Sequence, residues 1–208
     1  MQISVLILTH NRPELFQRCY NSVIEAKKYF DVDLEIIVNN DSNDIVEIRN
    51  EFTKYYYKQN GNLGELYKFL FEKASNEYIY YLEDDDILLE NFFETFSFQH
   101  KDIIYGNYIP YKWSKEFFNF FKQTNYTDKE KFLENYNSHN FQFSQLIFRK
   151  KCLNINDFPT DNYLQNDFKI FQKLTGSFIH VSDFLYKQTR DGKDAISSEY
   201  NKDERWIS

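Results

Sequence analysis

The chain lacks the cysteines of a disulfide-rich protein, the basic surplus of a nucleic-acid-binding protein and the long apolar run of a membrane-spanning helix. Its 208 residues include 2 cysteines, Cys19 and Cys152, which are too few for a disulfide framework and show no metal-ligand spacing. No apolar stretch approaches the ~18 residues that cross a membrane, and the N-terminus has no basic segment typical of a signal peptide. The sequence therefore predicts a cytoplasmic protein without a transmembrane segment.

Acidic residues outnumber basic ones, with 32 Asp and Glu against 25 Lys and Arg and a net charge of -7. Nucleic-acid-binding domains normally carry a basic surplus, so this balance argues against a nucleic-acid partner, although it leaves room for one small phosphorylated ligand. Aromatic residues make up 20% of the chain, which excludes a disordered protein and supplies a sizeable core. We expect residues 1–208 to form a single domain.

Strand and helix patterns alternate over the first 90 residues, because continuous apolar runs are typical of strands buried on both faces. The strands are predicted at 3–8, 34–38, 55–58 and 78–82, and later in the chain at 102–105, 145–148, 178–181 and 184–188. Helices are predicted after Asn11, which forms a capping-box pattern with Glu14, after Gly64, from Leu88 and over 161–174. This order predicts the α/β class, with a mostly parallel central sheet flanked by helices.

Polar clusters follow three of the predicted strands, at Thr9 to Arg12, Asn39 to Asp44 and Glu83 to Asp86. In open parallel sheets, ligands bind at the carboxyl ends of the strands. We therefore expect the three clusters to meet at one edge of the sheet and to form a ligand site there.

The run Glu83-Asp84-Asp85-Asp86 is the sharpest of these signals. Adjacent carboxylates repel one another unless they are exposed or neutralised, and alternate residues of an extended segment, such as Glu83 and Asp85, point the same way. Hard oxygen ligands suit Mg²⁺ or Mn²⁺, which bind through carboxylates and substrate phosphates. The alternative is a solvated acidic turn that caps the helix expected from Leu88.

The remaining polar and aromatic candidates each have two interpretations. Asn39 to Asp44 is either an Asx-rich turn or a set of hydrogen-bonding groups for a nucleobase. Asp167, on the predicted helix, is either an exposed surface charge or a functional carboxylate. The segment from Trp113 to Lys122 favours a packed core helix over a membrane-surface or acceptor-binding helix.

Taken in order, these motifs resemble those of the family 2 glycosyltransferases, which have a GT-A fold. The segments that carry the resemblance are 3–14 (ISVLILTHNRPE), 35–44 (EIIVNNDSND), 60–64, 78–88 (YIYYLEDDDIL), 166–168 (NDF) and 185–197 (LYKQTRDGKDAIS). They run from residue 3 to about 197, in the order and with the spacing of the family.

The resemblance implies an inverting glycosyltransferase that moves a sugar from a nucleotide-diphosphate donor, in particular a UDP-sugar, to a glycan hydroxyl in the synthesis of a surface polysaccharide or lipooligosaccharide. It implies nucleotide binding by Thr9, Asn11, Arg12, Asn39, Asn40, Asp41 and Asp84. It implies a divalent metal, Mn²⁺ or Mg²⁺, on Asp85 with Glu83 and Asp86, and it makes Asp167 the catalytic base. Residues 1–100 would bind nucleotide and metal, 101–197 would hold acceptor and base, and 198–208 would form a polar tail. Peripheral association with the inner face of the cytoplasmic membrane stays open.

The chain departs from the family pattern at several of these positions. Asn39 and Asn40 stand where the family usually has acids, Asp41 where it has Gly, Glu83 where it has Asp, and Asn166 where it has Glu. These departures keep a non-catalytic nucleotide-binding member or a partner-binding module as an alternative. A nucleotidyltransferase-like enzyme is the other alternative, but it would need a basic, Gly-rich phosphate loop after the first strand, and the sequence has none.

Overall fold

A computed structural model describes residues 1–42, 48, 50–58, 62–97, 99–109, 126–135, 142–159 and 166–189, and eight strands within them form one mixed sheet. The strands are β1 (Gln2–Thr9), β2 (Asp33–Asn40), β3 (Thr53–Tyr56), β4 (Tyr78–Glu83), β5 (Ile87–Leu88), β6 (Ile103–Ile109), β7 (Leu146–Arg149) and β8 (Phe178–Lys187). The helices are α1 (Pro13–Tyr29), α2 (Leu63–Lys73), α3 (Phe92–Ser97), α4 (Lys129–Asn135) and α5 (Asn166–Lys173). The strand order across the sheet is β3-β2-β1-β4-β7-β6-β8-β5.

The first half of the sheet is parallel and brings the predicted polar clusters together. β1 pairs in parallel with β2 on one side and with β4 on the other. In this register Leu8 lies opposite both Asn39 and Glu83, and Thr9 lies opposite Asn40. The prediction that three strand ends share one edge of the sheet is therefore confirmed.

Helices cover both faces of the sheet, which is why the central strands are apolar throughout. On one face Val5 of β1 belongs to a core cluster with Phe16 of α1 and Phe92 of α3. On the other face Leu6 belongs to a cluster with Leu70 of α2 and with residues of α4 and α5. Each such side chain contributes about 1.5–3 kcal/mol when fully buried, so the two layers hold the strand ends in fixed positions.

The capping box predicted at Asn11 is wrong, because α1 begins one residue later than the pattern required. Arg12 is the N-cap residue, its side chain makes no capping hydrogen bond, and Pro13 is the first helical residue. Asn11 instead has φ of 52°, a left-handed conformation that asparagine tolerates better than most residues. A capping box forms at α2, where Asn62 and Glu65 bond reciprocally to each other's backbone N–H.

The helix predicted from Leu88 is also wrong, since Leu88 lies in the short edge strand β5 and pairs with Tyr186 of β8. The next helix, α3, begins at Phe92. Leu88 is buried in the core, so pairing with β8 completes the sheet while keeping its side chain out of water.

The two short strands predicted after residue 178 form one continuous strand, β8. The pairing of β6 with β8 shifts register around Asn107, whose side-chain amide donates to the backbone carbonyl of Ser182 at 2.8 Å. This bond satisfies the backbone where the register shifts, so the exposed polar residues at this point do not end the strand.

Near the starting ends of the strands, the charge of one buried carboxylate is balanced by hydrogen bonds and an ion pair. Glu35 accepts hydrogen bonds from Ser4 and from the backbone and hydroxyl of Ser75, and it forms an ion pair with Lys54. Although its burial acts in the opposite direction, these bonds lower the pKa of Glu35 to about 2. Glu35 therefore ties β1, β2 and β3 to the turn before β4.

Within the described ranges, no helix combines the length and the apolar character that crossing a lipid bilayer requires.

Candidate functional site

The acidic run at the end of β4 forms a tight turn that gathers three carboxylates. The backbone N–H of Asp86 donates to the carbonyl of Glu83 at 3.1 Å and closes the turn. One oxygen from each of Glu83, Asp85 and Asp86 lies within 4.8 Å of the others. Glu83 and Asp85 converge as expected, but through a turn and not along an extended segment, and the turn adds Asp86 to them.

The pKa values of Glu83 and Asp86 are raised because both carboxyls are shielded from water and lie close to other acidic groups. Burial raises the pKa of Glu83 above its ordinary value, and the charges of Asp85 and Asp167 raise it further. Burial and the charges of Glu83 and Asp85 raise the pKa of Asp86 in the same way. A nearby positive charge would therefore stabilise the ionised form of the cluster.

The chemistry of this cluster suits a hard divalent cation. All the converging groups are carboxylate oxygens, the donor set that Mg²⁺ and Mn²⁺ prefer. Oδ2 of Asp86 is buried and accepts no hydrogen bond from the described part of the chain. Glu35 differs in this respect, because it has four contacts from hydrogen-bond donors and a lysine.

Asp84 is not one of the three converging carboxylates and bonds residues at and just after the end of β1. Nη1 of Arg12 lies 3.0 Å from Oδ1 of Asp84 and 3.7 Å from Oδ2 of Asp85. Burial raises the pKa of Asp84 to about 6, although Arg12 and the Thr9 hydroxyl both act to lower it. Arg12 and Thr9, predicted as nucleotide ligands, thus also hold the acidic turn against β1.

The turn after β1 contains one residue, His10, to which the sequence assigned no role. Its Nδ1 lies 2.7 Å from Oδ1 of Asp41, and its Nε2 lies 2.9 Å from Nδ2 of Asn11. The amide nitrogen of Asn11 can only donate, so Nε2 accepts and the Nδ1 proton is donated to Asp41. The only sequence signal for His10 was its place between Thr9 and Asn11.

The end of β2 uses its two asparagines to hold neighbouring backbone. Asn39 is fully buried, and its amide donates to the carbonyl of Lys58 at 3.1 Å and accepts from the Lys58 N–H at 2.9 Å. Oδ1 of Asn40 accepts from the N–H of Ser42 at 3.0 Å, and its Nδ2 donates to the Tyr55 hydroxyl at 3.3 Å. A nucleobase contact through Asn39 stays a prediction, and it would have to compete with the Lys58 backbone.

We expect Asn39→Asp to destabilise the fold by about 2–3 kcal/mol, because a carboxylate cannot donate to the Lys58 carbonyl and would be buried against it. Urea unfolding at pH 7 measures this loss. Asn40→Asp is the matched control, since its oxygen would keep the contacts from Ser42 and the Tyr55 hydroxyl can become the donor. Equal stability of Asn39→Asp and the native chain would show that the amide does not hold the Lys58 backbone.

Asp167 lies in the first turn of α5, at the same edge of the sheet as the acidic turn. Its Oδ1 accepts from the N–H of Phe168 at 2.8 Å, and burial raises the pKa of Asp167 to about 7. Its charge in turn raises the pKa of Glu83 and of the Tyr67 hydroxyl, which shows that the three groups are near one another. Asp167 is therefore a partly buried carboxylate near the candidate metal site and not a surface charge.

A glycine allows α2 to approach the segment that precedes α5. A Cβ at Gly64 would lie 2.0 Å from the carbonyl oxygen of Pro159 and 3.4 Å from Nδ2 of Asn166. No other residue type fits this contact. The glycine predicted from the 60–64 motif thus helps to place Asn166 and Asp167.

Three residues that the sequence analysis did not single out also bond the acidic turn. The Glu83 N–H donates to the hydroxyl of Ser144 at 3.1 Å, and Nη2 of Arg18 donates to the Asp85 carbonyl at 3.0 Å. Thr189 bonds both Asp85 and Asp86. All three lie far from the turn in the sequence. Arg18 and Ser144 belong to no predicted motif, and Thr189 lies inside the 185–197 segment of the resemblance, which assigned it no role of its own.

Several predicted segments lie outside the described residues. They are Asn43 and Asp44, the 60–61 part of the glycine motif, Trp113 to Lys122, the start of the predicted helix at 161–165, and residues 190–208.

Comparison with known proteins finds one matching family and similar glycosyltransferase sequences and structures. Residues 4–155 match the family described as Glycosyl transferase family 2. An uncharacterized glycosyltransferase from Mycoplasma genitalium, MG060, is 27% identical over 99 residues, which are 42% of this chain and 33% of that protein. The crystal structure of S. aureus TarS 1-349 is similar with a TM-score of 0.69 and 19% identity, over 91% of this chain and 60% of that chain. The complex of TarS 1-349 with UDP-GlcNAc has a TM-score of 0.68 and 18% identity, over 95% of this chain and 61% of that chain.

The chain spans about a third of the length of the curated relative and about 60% of the TarS fragment. At 19% identity, the similarity to TarS shows the fold. The predicted α/β fold, a GT-A domain with a mostly parallel sheet between helices, is therefore confirmed.

Proposed function

The chain belongs to glycosyl transferase family 2, and from that premise we propose that it transfers a sugar from a UDP-sugar to a hydroxyl group of a glycan acceptor, with inversion at the anomeric carbon. The observation that carries this proposal is the convergence at one sheet edge of an acidic turn, the turn after β1 and a partly buried carboxylate on α5. The similarity to TarS structures holding UDP-GlcNAc and UDP supports the uridine donor.

The acidic turn is the proposed metal site. Asp85, with Glu83 and Asp86, would hold Mn²⁺ or Mg²⁺ through carboxylate oxygens. When bound, such an ion neutralises the charge that develops on a diphosphate leaving group. Asp84 would contribute indirectly, because its ion pair with Arg12 holds the turn against β1.

The nucleotide would lie along the ends of β1 and β2. Thr9, Asn11 and Arg12 come from the first turn and Asn40 and Asp41 from the second, with Asn39 behind them. Amide, hydroxyl and carboxylate groups at this edge can hydrogen-bond to a base and a ribose. Arg12 also carries a positive charge at the edge, which suits a diphosphate.

Asp167 is the proposed general base. In the ionised form it accepts the proton of the acceptor hydroxyl while that oxygen attacks the anomeric carbon of the donor sugar. The bond from the anomeric carbon to the diphosphate breaks, and the nucleoside diphosphate leaves with the electron pair. A single displacement of this kind inverts the configuration of the sugar.

The proposal also assigns a role to each part of the chain and a class of acceptor to the reaction. Residues 1–100 would bind nucleotide and metal, 101–197 would carry the acceptor side and the base, and 198–208 would form a tail. The acceptor would be a surface polysaccharide or lipooligosaccharide made at the cytoplasmic side of the membrane, by analogy with the acceptors that members of the family commonly use.

The test is a panel of nucleotides and nucleotide sugars assayed with Mn²⁺, with Mg²⁺ and with chelator. We expect UDP to raise the melting temperature more than GDP or ADP does, and UDP-sugars to be hydrolysed only when metal is present. A larger shift with GDP would overturn the uridine assignment. Nucleotide binding without turnover of any donor, with or without acceptor sugars, would identify a non-catalytic member of the family.

A further inference from the structure

We propose that Thr189, together with Arg18, is a positioning residue that locks the backbone of the acidic turn into its metal-binding shape. The inference rests on the proposed function, because it assigns these two residues to the metal site proposed above. Neither residue contributes a carboxylate, and Thr189 follows the end of β8 at a distance of 103 residues along the chain from Asp86.

Thr189 bonds the acidic turn through both its backbone and its side chain. Its N–H donates to Oδ1 of Asp86 at 3.1 Å, and its hydroxyl donates to the backbone carbonyl of Asp85. The residue is buried, so these bonds are shielded from water. One residue thus fixes the direction of one carboxylate and of the peptide group that precedes it.

Arg18 closes the arrangement from α1. Its Nη2 donates to the same Asp85 carbonyl at 3.0 Å and to the hydroxyl of Thr189. The Thr189 hydroxyl is therefore an acceptor toward Arg18 and a donor toward Asp85. A helix, the acidic turn and the residues after β8 are joined at one point.

These bonds hold together carboxylates that would otherwise move apart because they repel one another. One carboxylate oxygen from each of Glu83, Asp85 and Asp86 lies within 4.8 Å of the others, so their ionised forms repel. In the absence of a cation, this repulsion favours turn conformations in which the carboxylates point apart. Bonds to the Asp85 carbonyl and to Asp86 oppose that movement and order the ligands in advance, so metal binding costs less free energy.

The side chain of Thr189 is suited to this position because a hydroxyl can donate and accept at once. Valine has nearly the same shape but can do neither. Thr189→Val therefore removes both hydroxyl contacts while leaving the backbone contact to Asp86 in place. Thr189→Ser keeps the hydroxyl and loses one methyl group.

The test measures Mn²⁺ binding to the full chain without nucleotide, by the electron paramagnetic resonance signal of free Mn²⁺. We expect Thr189→Val to weaken Mn²⁺ binding about tenfold, as the loss of a buried hydrogen-bonded positioning group would. Thr189→Ser should restore the affinity to within about threefold. Thr53→Val is the matched control, because its hydroxyl bonds only the Tyr20 hydroxyl among the contacts described and lies on β3, away from the turn.

The outcomes separate this inference from the proposed function. Native affinity in Thr189→Val, while the native chain binds Mn²⁺, would overturn the positioning role and leave the proposed metal site intact. Equal weakening in Thr189→Ser and Thr189→Val would show that the packing of the residue matters and the hydroxyl does not, which also overturns it. Failure of the native chain to bind Mn²⁺ or Mg²⁺ would overturn the metal site and this inference together.

Discussion

Asp167→Asn is expected to lower the rate of sugar transfer by at least about 100-fold while the affinity for the donor changes little. A general base contributes about 10²- to 10⁴-fold to such a reaction, and asparagine has the shape of aspartate without its basicity. The loss should fall on the turnover number and not on donor binding, because the base acts on the acceptor hydroxyl. Steady-state kinetics with a UDP-sugar and its acceptor, beside donor titrations, measure both quantities.

The pH profile provides an independent check of the same residue. Burial raises the pKa of Asp167 to about 7, and only the ionised carboxylate can accept a proton. The native rate should therefore rise with pH through about 7 and level off above about 8. Residual activity of Asp167→Asn should lack this rise, and an unchanged profile would remove Asp167 from the mechanism.

The melting temperature of Asp167→Asn shows whether a loss of activity comes from loss of the base or from unfolding of the chain. Since the folded chain holds the pKa of Asp167 above its ordinary value, the ionised carboxylate disfavours the folded state at about pH 8. Asp167→Asn removes this penalty, so the variant should unfold at the melting temperature of the native chain or above it. Near-native turnover of Asp167→Asn together with an inactive Asp161→Asn would move the base to Asp161, at the start of the predicted helix.

The parallel half of the sheet could be predicted from sequence because its strands are buried on both faces. The apolar run in β1 needs no alternation, as Val5 and Leu6 pack on opposite layers that are both covered by helices. Once these runs are read as parallel strands, the meeting of Thr9, Asn40 and Glu83 at one edge follows from topology alone. The main part of the candidate site could therefore be predicted from local patterns and the rule that places ligands at strand ends.

The supporting contacts could not be predicted because they join residues that no local pattern connects. The bonds of Thr189 to the acidic turn span more than 100 residues, and the bond of Arg18 to Asp85 spans 67. The contact of Asn39 with the Lys58 backbone depends on how β3 lies beside β2. Local patterns failed even nearby, since the left-handed backbone of Asn11 left no capping box there.

Asp85→Asn is expected to weaken Mn²⁺ binding at least about 100-fold, because it removes the carboxylate whose charge acts on both Glu83 and Asp86. We expect the same charge to disfavour the folded chain when no cation is present, because its repulsion from two buried neighbours outweighs its attraction to Arg12 at 3.7 Å. The variant should therefore melt at a higher temperature than the native chain in chelator, and the stabilisation that Mn²⁺ gives the native chain should be nearly lost.

This opposite response in chelator and in Mn²⁺ distinguishes a metal ligand from a carboxylate that only supports the fold. A structural carboxylate such as Glu35, with its bonds to Ser4, Lys54 and Ser75, would lose stability on neutralisation whether or not metal is present. Asp33→Asn is the control, because Asp33 is exposed at the start of β2 and should change neither quantity. Calorimetry that finds equal donor affinity for the native chain in chelator and in Mn²⁺ would contradict the metal site, since a cation held by the turn must lower the free energy of the bound diphosphate.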